Sequence, residues 1–322
     1  MKNLVYVIMY HYVRDLEHSR YPRIKGLDVD FFRQQIEFLK QNFTVITMEE
    51  LICACNGRYE LPEKAVLLTF DDGYLDHYMF VFPVLKAQNL QGSFFISAKT
   101  LKEHVLLDVN KIHYILASTK MKDLLPSVLE RMDYYRGSEY DYPDNNMLFD
   151  KYAAKNRFDD KETIFVKRML QTVLPQPVRS MICKDLFQQY VGVLEENMAS
   201  ELYLTPDQTR LMKNEGMYIG LHGYSHCWLG HMPEKEMQAD ISLALDVMSE
   251  YVDRKNWVMN YPYGSYNESL LKYISSCGCK LGLTTQVKAA DLSECSRLTI
   301  PRLDTNDFPP VSENYKCRGE IL

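Results

Sequence analysis

The chain has 322 residues, 46% of them hydrophobic and 25% charged, which is the balance of an ordinary globular protein with room for one large domain or two. A net charge of −6 gives no global attraction to nucleic acid or to anionic lipid, and no apolar run is long enough to cross a bilayer.

Residues 4–9 read as a first strand that delivers His11 at its end. A polar loop follows, and residues 31–42 show helical spacing through Phe32, Ile36, Phe38 and Leu39. A short strand over 43–46 leads to Thr47, which has Glu50 three residues on, the pattern of a capping box. Residues 65–71, Ala-Val-Leu-Leu-Thr-Phe-Asp, form an apolar run that stops at Asp71-Asp72-Gly73. The run predicts a buried strand, and Gly73 supplies the turn out of it. A helix is expected over 74–88, kinked at Pro83, and another buried strand over 92–97. Strands alternating with helices at this rhythm indicate a mainly parallel α/β sheet or barrel.

The rhythm breaks near residue 101. Helical patches over 121–132 and 162–174 flank a Tyr- and Asp-rich stretch over 138–150, and no strand of the earlier type is evident. The expected organisation is a barrel domain made of 1–103 and 201–322, with 104–200 as a mostly helical insertion or cap. The rhythm resumes at Thr205, where Pro206 and Gln208 complete a second capping box. Strands are expected over 217–221, 257–261 and 280–284. The first two end in His222-Gly223-Tyr224-Ser225-His226 and in Pro262-Tyr263-Gly264. Asn267 caps a helix, and Pro301-Arg302-Leu303-Asp304 lies near the end.

Three chemistry-bearing stretches therefore follow predicted strands directly, and in parallel α/β folds those strand ends converge on one face. Two adjacent acids are costly to bury together, because like charges resist joint ionisation. A cation relieves that cost: one carboxylate binds it while the other stays close as a proton acceptor. The plain alternative is a solvated Asp-Asp turn. His222 and His226 are four apart, so one helical turn, or a loop that opens one, would aim both imidazoles at one point. Two neutral imidazoles and a carboxylate with open positions suit Zn²⁺ or a similar divalent ion in hydrolysis.

Thr69-Phe70-Asp71-Asp72-Gly73, His222-Gly-Tyr-Ser-His226 and Tyr261-Pro262-Tyr263-Gly264 together resemble the motifs of the NodB-homology polysaccharide deacetylases, carbohydrate esterase family four. The resemblance covers the chain apart from the insertion. It implies a distorted (β/α) barrel of about seven strands. It also implies a divalent metal, most simply Zn with Co or Ni as alternatives, on Asp72, His222 and His226. Asp71 would be the general base, and the backbone N–H of Tyr263 would help hold the oxyanion. Three positions depart from the family pattern. Gly223 stands where a Ser or Thr is usual. Asn260-Tyr261 stand where an Arg commonly precedes the Pro, so tethering of the base is expected to fall to Arg302. The usual C-terminal histidine acid is missing, since none follows His231. Met9-Tyr10-His11-Tyr12-Val13 looks like the circularly permuted variant that carries this acid at the N-terminus, so the acid role is expected of His11.

The resemblance implies removal of an acetyl group from the nitrogen of an amino sugar in a glycan or its precursor. Alternatives are a deformylase or other N-acyl amidase on a lipid-linked or nucleotide sugar, or an inactive, metal-retaining scaffold. Tyr224, Trp228 and Tyr266 lie beside the motifs and could stack on a pyranose or serve as core. Asp304 could pair with Arg302. His77 and His231 read as structural or solvated. Most of the eight cysteines, with C-x-C rather than C-x-x-C pairs, read as small buried hydrophobes of a reducing compartment. No secretory leader pattern is evident, so the expectation is cytoplasmic, with peripheral membrane association compatible. The expected partner is an N-acylated sugar or oligosaccharide, with no nucleic acid; oligomeric state is left open.

Overall fold

The structure is a computed structural model, and it describes residues 4–156 and 159–318. Seven parallel strands organise the barrel among these residues: β1 (Leu4–Tyr10), β2 (Ala65–Asp71), β3 (Ser93–Ile96), β4 (Tyr218–Leu221), β5 (Val258–Asn260), β6 (Leu281–Leu283) and β7 (Leu303–Asp304). Each of the first five pairs in parallel with the next. Leu283 of β6 then bridges to Ile300, and β7 pairs with Ile8 and Met9 of β1. Residues 300–304 therefore carry the pairing from β6 back to β1. The barrel is distorted because its strands are staggered. The start of β2 borders a two-residue strand, Thr44–Val45, and only its end borders β3. Ala290–Asp291 likewise pairs antiparallel with the start of β1.

Alternation along β2 separates two cores. Val66, Leu68 and Phe70 pack with Phe32, Ile36, Leu39 and Leu85 of the outer helices. Ala65 and Leu67 pack with Phe95, Val258, Leu281 and Leu283 in the interior, with Ile46, Met48 and Leu51 in the same cluster. Thr69 and Asp71 continue the interior series, so the strand that buries a core at one end presents a carboxylate at the other. All seven residues of β2 are buried.

Local signals explain the helices. Asp28 caps the helix Val29–Asn42, and both expected capping boxes form, Thr47 with Glu50 and Thr205 with Gln208. The single kinked helix expected over 74–88 is instead a π-helical turn, His77–Val81, followed by an α-helix, Phe82–Ala87, with Pro83 in its first turn. A proline there lacks an N–H that the first turn would leave unbonded anyway. The preceding turn absorbs the mismatch by widening.

The chain divides into two compact units. One takes residues up to 15, 26–104 and 200 onward, and holds the barrel; the other takes Leu16–Lys25 and Val105–Ala199. The second is helical throughout its described regular elements, with Asp108–Ser118 packed on Gln176–Tyr190. The polar loop 16–25 was expected within the barrel domain. It groups with the helices because Arg23 Nε donates to the Ala117 carbonyl at 2.9 Å, Lys25 pairs with Asp159, and the Tyr21 ring meets Tyr114 edge-on.

Candidate active site

The C-terminal end of β2 supplies two carboxylates with different directions. Asp71 ends the strand and points inward. Continued alternation would turn the next side chain out, but Asp72 has a left-handed φ of 75°, which breaks the extended geometry. Gly73 is left-handed too, at +67°, and a Cβ there would lie 2.8 Å from the Ile96 side chain. A glycine is required at that turn.

Asp72 is almost wholly buried. The Tyr74 hydroxyl donates to its Oδ2 at 2.6 Å. Its Oδ1 lies 3.3 Å from His222 Nε2 and 3.1 Å from His226 Nε2, and has no hydrogen-bond partner. His222 follows β4, and its Nδ1 lies 2.7 Å from the Asn260 carbonyl. A carbonyl only accepts, so Nδ1 carries the proton and a neutral His222 presents a bare Nε2 to Asp72. Burial pushes the Asp72 carboxyl up, and imidazoles carrying a proton toward it would hold the group well below the usual carboxylate value. One ligand atom from each residue lies within 4.8 Å of the others. Three buried lone-pair donors with an orphaned oxygen among them fit a divalent cation, and the oxygen–nitrogen donor set suits Zn²⁺ or a similar metal.

The histidines do not share a helical turn. Residues 222–228 form a loop, and the first helical turn after them is Leu229–His231. The convergence comes instead from a left-handed His226, at φ 52°, and from Asp240 on the helix Glu234–Val247. The Asp240 carboxylate accepts from the Tyr224 and Ser225 amides at 2.8 and 3.0 Å. Gly223 has φ +67°, and a Cβ there would come within 3.2 Å of Asp240 Oδ1.

Asp71 is held by three N–H donors. Arg302 Nη1 and Nη2 each donate to one of its oxygens at 2.8 Å, and Asn260 Nδ2 donates to Oδ1 at 2.6 Å. Arg302 is itself held by the Thr284 carbonyl, Thr69 Oγ1 and Asn260 Oδ1. Burial pushes the Asp71 carboxyl up. The Arg302 guanidinium outweighs that, and the group sits below the usual carboxylate value. His11 lies just beyond β1, its side chain 40% exposed and its Nε2 3.7 Å from Asp71 Oδ2.

A family model described as polysaccharide deacetylase matches residues 58–137 and 158–282, more than half of the chain. The chain belongs to the polysaccharide deacetylase family. It is 21% identical over 285 residues to a putative polysaccharide deacetylase, YxkH, of Bacillus subtilis, covering 88% of this chain and 65% of that one. It is 37% identical over 81 residues to the poly-beta-1,6-N-acetyl-D-glucosamine N-deacetylase of Escherichia coli, covering 25% of this chain and 12% of that one. The chain thus spans less than two thirds of these relatives' lengths. The solved deacetylase PplD of Streptococcus pyogenes, in complex with acetate, superimposes with a TM-score of 0.60 at 16% identity, over 100% of both chains. That likeness supports the fold.

The structure places the remaining expected residues unevenly. Tyr263 is left-handed at φ 58°, with its ring edge-on to His226 and stacked on Trp228 at 4.7 Å. Tyr266 is 41% exposed. Tyr224 corrects the stacking expectation: it is buried in the outer core, with its hydroxyl on Glu103, so no sugar face can lie on it. Asp304 is not aimed at Arg302 but caps the turn Thr305–Asp307 by accepting from the Asn306 amide. His231 Nδ1 lies 3.2 Å from Ser265 Oγ. Sequence reasoning missed Tyr74, Asp240 and Asn260 as supports of the site. Asn260 carried the best available signal, since it ends a strand where this deacetylase family commonly carries an arginine.

Proposed function

We propose that this chain is a metal-dependent hydrolase that removes an N-acetyl group from an amino sugar in a glycan. The observation that carries the reading is the division of labour at the end of β2: one carboxylate fixed by three N–H bonds with a site left on Oδ2, the next left with an open oxygen between two imidazoles. Asp72, His222 and His226 would hold the ion. When bound, the ion supplies a Lewis acid that acidifies water and polarises the acyl carbonyl.

The chain's own groups complete the reaction. Asp71 accepts the proton of the attacking water, and Arg302 keeps its carboxylate ionised and fixed in direction. The Tyr263 backbone N–H is assigned to the carbonyl oxygen as negative charge builds there. His11 gives a proton to the sugar nitrogen as the carbon–nitrogen bond breaks, because an unprotonated amide nitrogen is a poor leaving group. The products are a free amine and acetate, so the elements of one water are consumed. Trp228 and Tyr266 are assigned to the sugar, since they remain beside the motifs. The place of His11, just beyond the first strand with its Nε2 3.7 Å from Asp71 Oδ2, supports the permuted arrangement of the family. The named activity of the Escherichia coli relative supports a β-1,6-linked N-acetylglucosamine chain as the substrate class. The eight free cysteines support a reducing compartment, hence the cytoplasm.

The test measures acetate and free amine released from N-acetylglucosamine oligomers by the purified protein. Release should stop with a chelator and return with Zn²⁺, Co²⁺ or Ni²⁺. Release that is indifferent to chelation would overturn the reading.

A further inference from the structure

The ladder that holds β1 ends before His11. Its last partner on β2 is Phe70, opposite Tyr10, and its last partner on β7 is Asp304, opposite Met9. Val13–Arg14 then pair with Leu27–Asp28 alone. The sheet therefore does not fix where the His11 imidazole stands relative to the two aspartates, although an acid must stand within hydrogen-bond reach of the departing nitrogen.

Three side-chain contacts bridge that gap, all from the short tract after Asp71-Asp72. His77 Nε2 lies 2.9 Å from the His11 carbonyl. Because a carbonyl only accepts, Nε2 is the protonated nitrogen, and Nδ1 is buried without a partner. Asp76 takes two hydrogen bonds from Arg14, Nε to Oδ2 at 2.8 Å and Nη2 to Oδ1 at 2.9 Å. Tyr74 stacks on Tyr12 with ring centroids 4.1 Å apart and planes 11° apart, while its hydroxyl donates to Asp72. The Arg14 guanidinium lies over the Tyr12 ring, 4.7 Å from its centre. Residues 11, 12 and 14 are thus each tied to residues 77, 74 and 76, and Tyr74 is also tied to the ion-facing carboxylate.

We propose that this tract registers the acid against the ion site, with His77 as a positioning residue that sets the His11 backbone and never touches substrate. The inference rests on the assignment of His11 as the acid. His77 suits the task because it is fully buried and stays neutral: burial lowers its pKa to about 4, so its donor is unchanged across the working range. The π-helical turn that begins at His77 is the local distortion that places the imidazole under the His11 carbonyl, in keeping with the frequent occurrence of such turns at functional sites.

The test exploits the leaving group. An amide needs its nitrogen protonated; p-nitrophenyl acetate releases an anion that needs no proton. His11→Ala, His77→Met, which lacks the donor, and His77→Gln, which keeps one, are compared on an N-acetylglucosamine oligomer and on the aryl ester, with bound metal measured on each. His11→Ala and His77→Met should both lose amide turnover in kcat, by about 100-fold as expected for a misplaced catalytic group. KM, metal content and ester hydrolysis should stay near those of the parent, and His77→Gln should recover most of the loss. Should His77→Met fail to fold, Arg14→Met takes its place, with a smaller loss of the same selective kind. If His11→Ala separates amide from ester but the His77 and Arg14 variants do not, the positioning role is overturned and the acid assignment stands. If His11→Ala itself separates nothing, the acid assignment falls and this inference falls with it.

Discussion

Asp71 and Asp72 are neighbours in the chain and occupy opposite surroundings. Around Asp71 there are three donors: Arg302 serves both oxygens and Asn260 adds a further bond. Around Asp72 they run out: Tyr74 serves Oδ2, and Oδ1 is left facing two imidazoles. Three N–H bonds leave Asp71 an acceptor site on Oδ2, enough to take a proton, whereas Asp72 has a whole orphaned oxygen to offer an ion. The left-handed φ of Asp72 makes the separation possible, because it turns the second side chain away from where strand alternation would send it. Backbone strain of this kind carries an energetic cost of about 1–3 kcal/mol, and persists where surrounding contacts over-determine it.

The sharpest way to break the comparison is to swap the roles. Asp72→Asn removes charge from the ion site, and the protein should lose bound metal together with nearly all turnover. A loss of about 1000-fold in kcat/KM follows from several kcal/mol of charge stabilisation by the ion. Asp71→Asn should retain the metal and still lose turnover by about 100- to 10,000-fold, the range of a general base. Metal content by mass spectrometry, set beside kcat, separates the two. Equal metal loss in both variants would mean that the carboxylates share the ion.

Arg302→Met tests the Asp71 side alone. Removing the guanidinium leaves a buried carboxylate without its counter-charge, at a cost of about 3 kcal/mol in stability. Burial, no longer outweighed, would push the Asp71 carboxyl up. More of the base is then protonated at a given acidic pH, so the acid limb of kcat should move to higher pH. A thermal melt and a pH–rate profile read the two effects. A variant with the parent's profile would show that Arg302 does not set the charge of Asp71.

The two sides were not equally legible in sequence. Asp71, Asp72, His222 and His226 each sit at or just after a strand end, so period and turn signals located them. The barrel rhythm was legible for the same reason, because β2 and β3 are continuous buried runs. Tyr74, Asp240 and Asn260 were not legible as supports. Each is an ordinary residue type whose role depends on a contact that periodicity does not show: Tyr74 reaches back two positions to Asp72, and Asn260 Nδ2 meets Asp71 Oδ1, 189 positions away. The loop 16–25 was missed because its grouping with the helices depends on contacts such as Arg23 with Ala117, 94 positions on. The spacing of His222 and His226 suggested one helical turn or a loop that opens one, and the loop is what forms, leading into the turn Leu229–His231. Four residues of loop with a left-handed end achieve the same convergence.

The smallest effect lies beneath both carboxylates, at His77. The unfolded chain protonates this histidine near its ordinary pKa of 6.5, whereas burial lowers it to about 4 in the folded protein. Between those values the unfolded state binds the proton and the folded state does not, so stability is fully present above about pH 6.5 and falls as the pH drops toward 4. At pH 5 the loss amounts to about 2 kcal/mol. His77→Gln keeps a donor for the His11 carbonyl and has no proton to gain. Its urea midpoint should therefore fall less than the parent's between pH 7 and pH 5, by the equivalent of those about 2 kcal/mol. Parallel curves for the two proteins would show that His77 is protonated in the fold. A cation would then lie directly beneath the acid, and the hydrogen bond to the His11 carbonyl would be charge-assisted rather than neutral.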